Sequence, residues 1–136
     1  MALSSNRELD RYVDQELRAL PVKASTHIYK GALVGIHAAT GCVRGLVAGD
    51  SFAGVAYEEA DNSAGADAAI CVRVYTQGDF EHPFTSAART NNGAAIYASD
   101  DATLTLTATN NSAVGRQIEA PTSGKIVLRI KSVFGQ

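Results

Sequence analysis

The sequence predicts an all-β domain, an antiparallel β-sandwich of jelly-roll-like type, preceded by a short N-terminal amphipathic helix or arm. Three observations carry that prediction. At least six short apolar runs, among them Ile70-Cys71-Val72-Arg73-Val74-Tyr75, Thr103-Leu104-Thr105-Leu106-Thr107 and Ile126-Val127-Leu128-Arg129-Ile130, are separated by clusters of Gly, Asn, Asp and Ser. Within the runs, apolar and polar residues alternate. A half-buried strand turns successive side chains to opposite faces, so Leu104 and Leu106 can enter a core while Thr103, Thr105 and Thr107 face outward. Strands this short and evenly spaced fit two packed sheets or a small barrel, and spacing alone leaves the strand order open.

The first element differs in kind from the rest. Residues 7 to 20 place Leu9, Tyr12, Val13, Leu17 and Leu20 at intervals of three and four, which gathers them on one helical face. Ser5 and Glu8 have the spacing of a capping box, and Pro21 opposes continuation past Leu20. A helix this short is marginal alone, so the stripe needs a surface: its own β domain or a neighbouring subunit. The division expected is therefore residues 1–21 as helix or arm and 22–136 as sandwich.

Beyond Val22 the pattern is β throughout. Ile28, Ala32, Val34 and Ile36 lead to a turn at Ala39-Thr40-Gly41, then to Cys42–Val47, a Gly-Asp turn, and Phe52–Tyr57. A polar loop over Glu58–Asp67 precedes the strand at Ile70–Tyr75. Gly78–Phe84 follows, with Pro83 suited to an edge or a strand end because it lacks a ladder donor. Thr85–Gly93 reads as loop and Ala94–Ala98 as a short strand. Asp100-Asp101 turns into the threonine-rich run and Asn110-Asn111-Ser112 turns out of it. Ala113–Glu119 and Lys125–Val133 complete the set. A faint internal echo runs through the chain: Gly31-Ala32-Leu33-Val34 against Gly93-Ala94-Ala95-Ile96, Gly54-Val55-Ala56 against Gly115-Arg116-Gln117-Ile118, and Ile70–Val74 against Ile126–Ile130.

Composition sets the bounds. At 136 residues and 46% hydrophobic content the chain holds one domain with a real core. A net charge of -2 and a pI near 5.9 give no general electrostatic reason for nucleic-acid binding. Cys42 and Cys71 fall in strand-like surroundings and read as buried free thiols. No apolar segment is long enough to cross a bilayer, and no secretory signal pattern opens the sequence, so a soluble product made in the cytoplasm is expected.

No catalytic or cofactor constellation stands out. His27, His37 and His82 lack the spacing of a zinc site, and each reads as a polar loop or strand residue. Gly49-Asp50-Ser51-Phe52 has the look of an esterase serine block, yet no histidine follows His82 to serve as the usual late base, so a turn is the ordinary reading. Asp61-Asn62 and Asp100-Asp101 offer oxygens without a complete calcium loop. Arg44, Arg73, Arg89, Arg116 and Arg129 are dispersed, as on an interface rim.

A family resemblance spans roughly residues 22 to 134. Ile28-Tyr29-Lys30-Gly31-Ala32-Leu33-Val34-Gly35, Phe52–Ala56 with Asp61-Asn62-Ser63, and Tyr75-Thr76-Gln77-Gly78 resemble the small capsid cement, or decoration, proteins of tailed bacteriophages. Gly93–Asp100, Val114-Gly115-Arg116 and Ser123–Ile130 continue the match in order. The resemblance implies a non-enzymatic, cofactor-free virion protein that binds the outer face of the major capsid protein lattice and bridges its subunits. A small homo-oligomer follows from the same reading, a dimer ahead of a trimer, with no direct contact to nucleic acid or membrane. The contact residues expected are Leu9, Tyr12, Val13, Leu17, Leu20, Tyr29, Leu33 and Val34. The alternative is a carbohydrate-binding or host-adhesion module, which wants a groove with exposed aromatics; this chain has no Trp, and several of its Tyr and Phe residues sit in apparent core strands.

Overall fold

The computed structural model describes residues 16–135. Among them twelve strands and one 3₁₀ turn follow in order: β1 (Leu17–Pro21), β2 (Thr26–Ile28), β3 (Leu33–Ile36), β4 (Val43–Gly45), β5 (Ser51–Ala56), β6 (Ala60–Asn62), β7 (Cys71–Tyr75), β8 (Asp79–Pro83), the 3₁₀ turn (Arg89–Asn91), β9 (Ala95–Ala98), β10 (Leu104–Thr105), β11 (Ser112–Thr122) and β12 (Lys125–Ile130). They pair antiparallel into a first sheet ordered β1-β7-β5-β3-β4, a second ordered β10-β9-β11-β12-β8, and a small ribbon β2-β6. The all-β sandwich is borne out. The strand order leaves the jelly-roll-like connectivity without support, because no strand of one half enters the other half's large sheet.

The internal echo is real, and the registers prove it. Reading each sheet from its first strand in the chain, β1, β3, β4, β5 and β7 correspond to β8, β9, β10, β11 and β12, with the same neighbours in the same order. Leu33↔Val55 and Val34↔Gly54 recur as Ala95↔Arg116 and Ile96↔Gly115; Gly35↔Phe52 and Ile36↔Ser51 recur as Tyr97↔Ala113 and Ala98↔Ser112. Both pairs of strands slip by one residue at the same place, over Ala53 and over Val114. The turn ahead repeats too: Gly31 donates to the Ala56 carbonyl and Gly93 to the Gln117 carbonyl, and both glycines have positive φ, 85° and 88°. Pro21 and Pro83 close β1 and β8, each opposite the first residue of its neighbouring strand, Cys71 or Lys125. The echo read in β7 and β12 needs one adjustment. Val72 corresponds to Ile126 rather than to Leu128, because the ladders pair Ala56 with Val74 and Gln117 with Leu128.

The two sheets stack in the same sense, like two trays. One face of the first sheet carries Leu33, Phe52 and Val55, with Tyr75 at its margin, and packs on Ile96, Ala98, Leu104, Val114, Ile126 and Leu128 of the second. The opposite face of the first sheet carries Val34, Val43, Ala53, Ala56, Val72 and Val74, and the ribbon covers it with Ile28 and Ala60. By register, Val34, Val43, Val72 and Val74 match Ile96, Leu104, Ile126 and Leu128, so equivalent faces point the same way in both sheets.

Three local expectations change, and a fourth, at Pro83, holds. Residues 17–20, assigned to the end of the helix, form strand β1 with β7, because the free edge of β7 supplies backbone partners that a marginal helix end lacks. Leu9, Tyr12 and Val13 of that stripe lie outside the described residues. Leu106 is exposed rather than in the core: the Thr107 amide bonds back to the Thr105 hydroxyl and ends β10 there. Cys42 is buried, whereas Cys71 shares the outward phase of β7 with Arg73 and is exposed; both thiols are free. Pro83 ends an edge strand, as its missing donor requires.

Candidate functional site

The esterase-like block resolves into a structural turn. Asp50 accepts from Arg44 Nε at 3.0 Å and Nη2 at 2.9 Å, and from the Val47 amide at 3.1 Å. Burial pushes its carboxyl up, but the Arg44 and Val47 bonds outweigh burial and hold it below the usual range. Asp50 is therefore committed, and Ser51 simply opens β5. Asp61 accepts from the Ser63 amide and hydroxyl, and Asp100 from the Ala102 amide, so both acidic pairs close turns. His37 sits 2.9 Å from the Thr40 hydroxyl and His82 donates to the Pro83 carbonyl, each local. Among the described residues no three His, Cys, Asp or Glu side chains gather into a metal-binding group, and no helix is long and apolar enough to cross a membrane.

What the fold does assemble is an aromatic and charged surface at one end of the stack. Tyr29 follows β2 directly and is 60% exposed, its ring stacked on His27 at 4.2 Å. His27 Nε2 lies 2.6 Å from Glu59. Beside it the Arg73 guanidinium sits 4.8 Å from the Tyr57 ring centre and donates to both oxygens of Glu58, at 3.0 and 2.9 Å. The Arg73 side chain first, and its backbone amide second, hold Glu58 at about 2. Lys30 joins two open clefts: one lined by Tyr57, Glu58, Glu59, Arg73 and Tyr75, the other by Tyr29, Glu81, His82 and Asp101. The surface thus draws on both halves of the repeat. Tyr and Arg held in place by neighbours are the side chains that anchor protein interfaces, because they bring large contact area at low entropic cost.

The expected contact residues separate on this geometry. Tyr29 is on the surface. Leu33 and Val34 are fully buried, since the alternation of β3 sends one to each core; a contact made by this region runs through Tyr29. Leu20 is buried and Leu17 half-buried in β1. Sequence reasoning missed Tyr57, Glu58 and Arg73 as a unit. Its only signal was phase: Arg73 is the outward residue between Val72 and Val74, and Tyr57-Glu58 follow immediately where β5 ends.

No curated protein and no solved structure matches the chain. A family model described as phage cement protein matches residues 14–131, which takes in both five-stranded sheets and the ribbon together with the surface around Tyr29. The chain belongs to the phage cement protein family.

Proposed function

We propose that this protein binds the outer surface of the major capsid protein lattice and stabilises the phage head by bridging neighbouring subunits, without catalysis. The observation that carries the proposal is the family match across nearly the whole fold. A shell under outward pressure gains strength when an added protein spans adjacent subunits, because separation must then break a further interface. Repetition over the lattice turns modest contacts into collective support. On this reading the contact surface is the Tyr29, Tyr57 and Arg73 end, and what supports it is the exposed Tyr29 ring and the Arg73 guanidinium held against Tyr57. A small symmetric homo-oligomer, a dimer ahead of a trimer, would bring copies of that surface over a capsid symmetry axis.

The test is a binding assay on capsids stripped of this protein, followed by heating. Wild-type protein should bind and raise particle survival, and Tyr29→Ala and Arg73→Ala should each weaken binding about tenfold. Failure to bind the cognate shell overturns the proposal. Binding without added survival leaves adhesion or display as the role. Imaging of decorated particles reads the symmetry, and three-fold density at each site would replace the dimer.

A further inference from the structure

The internal repeat leaves one face of the second sheet bare where its counterpart in the first is covered. Leu33, Phe52, Val55 and Tyr75 form the face of the first sheet on which the second sheet lies. Their register equivalents are Ala95, Ala113, Arg116 and Arg129, and among the described residues no layer lies on them. Large apolar side chains give way to alanine or arginine, and the result is an open trough of about 400 Å³. Ala95, Ala113, Gly115 and Ile118 supply its apolar lining, and Arg116, Arg129 and Lys131 its charges. The alanines keep the floor low, so a guest chain can lie close to the sheet.

Charge selects the occupant. No carboxylate lines the trough, and Glu119, the one carboxylate of β11, falls outside it. Arg129 is already paired with Asp79. Among the described residues, by contrast, Arg116 bonds only the Gly93 carbonyl and Lys131 makes no ion pair. Two uncommitted cations beside an apolar floor complement a segment that carries carboxylates among small apolar side chains. A second copy apposed through the same trough would instead set cation against cation.

The trough also stands apart from the Tyr29 end. Along β8 and β12, Pro83 pairs with Lys125 and Asp79 with Arg129. His82 and Pro83 line a cleft with Tyr29, whereas Arg129 lines the trough, so four residues of strand, about 13 Å, separate the two surfaces. A protein that joins neighbouring subunits needs two places to hold them. We propose that the trough is the second capsid contact, where Arg116 and Lys131 take the carboxylates of an extended, acidic segment of a neighbouring major capsid protein subunit. The assignment rests on the capsid reading and adds to it the chemistry of the partner segment.

The experiment adds the full chain to cognate shells stripped of it, measures occupancy, and maps the amide links that a water-soluble carbodiimide forms, by mass spectrometry. Lys131 Nζ should be joined to an Asp or Glu of the major capsid protein. Arg116→Glu and Lys131→Glu should each weaken occupancy about tenfold, while Lys131→Arg should keep occupancy and lose the link. Arg89→Glu reverses an exposed cation outside the trough, with the same change in net charge, and should stay within about twofold of wild type. Denaturant midpoints of all four variants should match wild type, because the altered side chains are exposed. Wild-type occupancy by Arg116→Glu and Lys131→Glu overturns the trough contact and leaves the capsid reading standing, since wild-type binding is read on the same shells. A wild-type protein that does not bind the shell ends both. An equal loss in Arg89→Glu, no Lys131 link on decorated shells, or a Lys131 link only to another copy of this chain also rejects the trough contact.

Discussion

The two halves of this chain share one backbone and have met opposite fates. In the first, the face bearing Phe52 and Val55 is sealed beneath a second sheet; in the second, the matching face bears Ala113 and Arg116 and lies open. Register, slip and turn hydrogen bonds agree between the halves, so the backbone pattern does not depend on what its outer face touches. What depends on it is side-chain size and charge. The comparison separates residues that make the repeat from residues that place it.

The largest expected difference is at Phe52 and its equivalent. Phe52→Ala should destabilise by about 3–5 kcal/mol, since it empties a fully buried aromatic site between the sheets. Ala113→Ser, at the matched exposed position, should stay within about 0.5 kcal/mol. Denaturant midpoints measured on both variants decide it, and similar losses would break the claim that the matched faces differ in burial.

The glycines at the slip should behave alike despite that contrast. Gly54 and Gly115 have φ of 149° and 155°, and a Cβ on either would run into a carbonyl oxygen of the neighbouring strand, that of Tyr75 or of Arg129. Gly54→Ala and Gly115→Ala should each cost about 2–4 kcal/mol, combining strain with overpacking. A neutral outcome at Gly115 alone would show that the second half's slip relaxes where the first half's cannot. A third pair sits two residues further on. Ala56 is replaced in the second half by Gln117, wholly buried, whose amide donates to the Ala88 carbonyl at 2.8 Å and the Asn92 side chain at 3.0 Å. Gln117→Met should cost about 1–3 kcal/mol by releasing that loop, and Ala88 to Asn92 should gain hydrogen exchange.

Legibility in the sequence followed the same division. Alternation in Ile126–Ile130 marked β12 well because one face meets a core and the other water. The repeat was only faint, since the matched residues differ wherever one copy is covered and the other is not: Leu33 and Ala95, Phe52 and Ala113, Val55 and Arg116. Glycines with fixed conformational jobs carried most of the echo. Leu17–Leu20 misled because apolar spacing of three suits a helix face, and no local signal announced the unpaired edge of β7 that captures the segment. The Tyr29, Tyr57 and Arg73 surface stayed hidden for another reason: its members come together only when β2 and β7 are brought to one end of the stack.

The smallest effect concerns one ion pair in each half. Arg73 on β7 holds Glu58, and Arg129 on β12 holds Asp79 at 2.8 and 2.9 Å. Both carboxyls are held low by the guanidinium, and Glu58 further by the Arg73 amide, which brings it from 4.5 to about 2. A carboxylate whose folded value is depressed contributes stability that is complete above its unfolded value and is lost as pH falls through the folded one. The contribution of Glu58 should therefore persist at neutral pH and disappear between about 4.5 and about 2. Both pairs are exposed, so the effect should be small and should shrink with added salt. Glu58→Gln should flatten the fall of the denaturation midpoint across that window more than Asp79→Asn does, because only Glu58 also accepts a backbone amide. Equal flattening by the two variants would mean that the amide adds nothing and that the halves, alike in backbone, are alike in this pair as well.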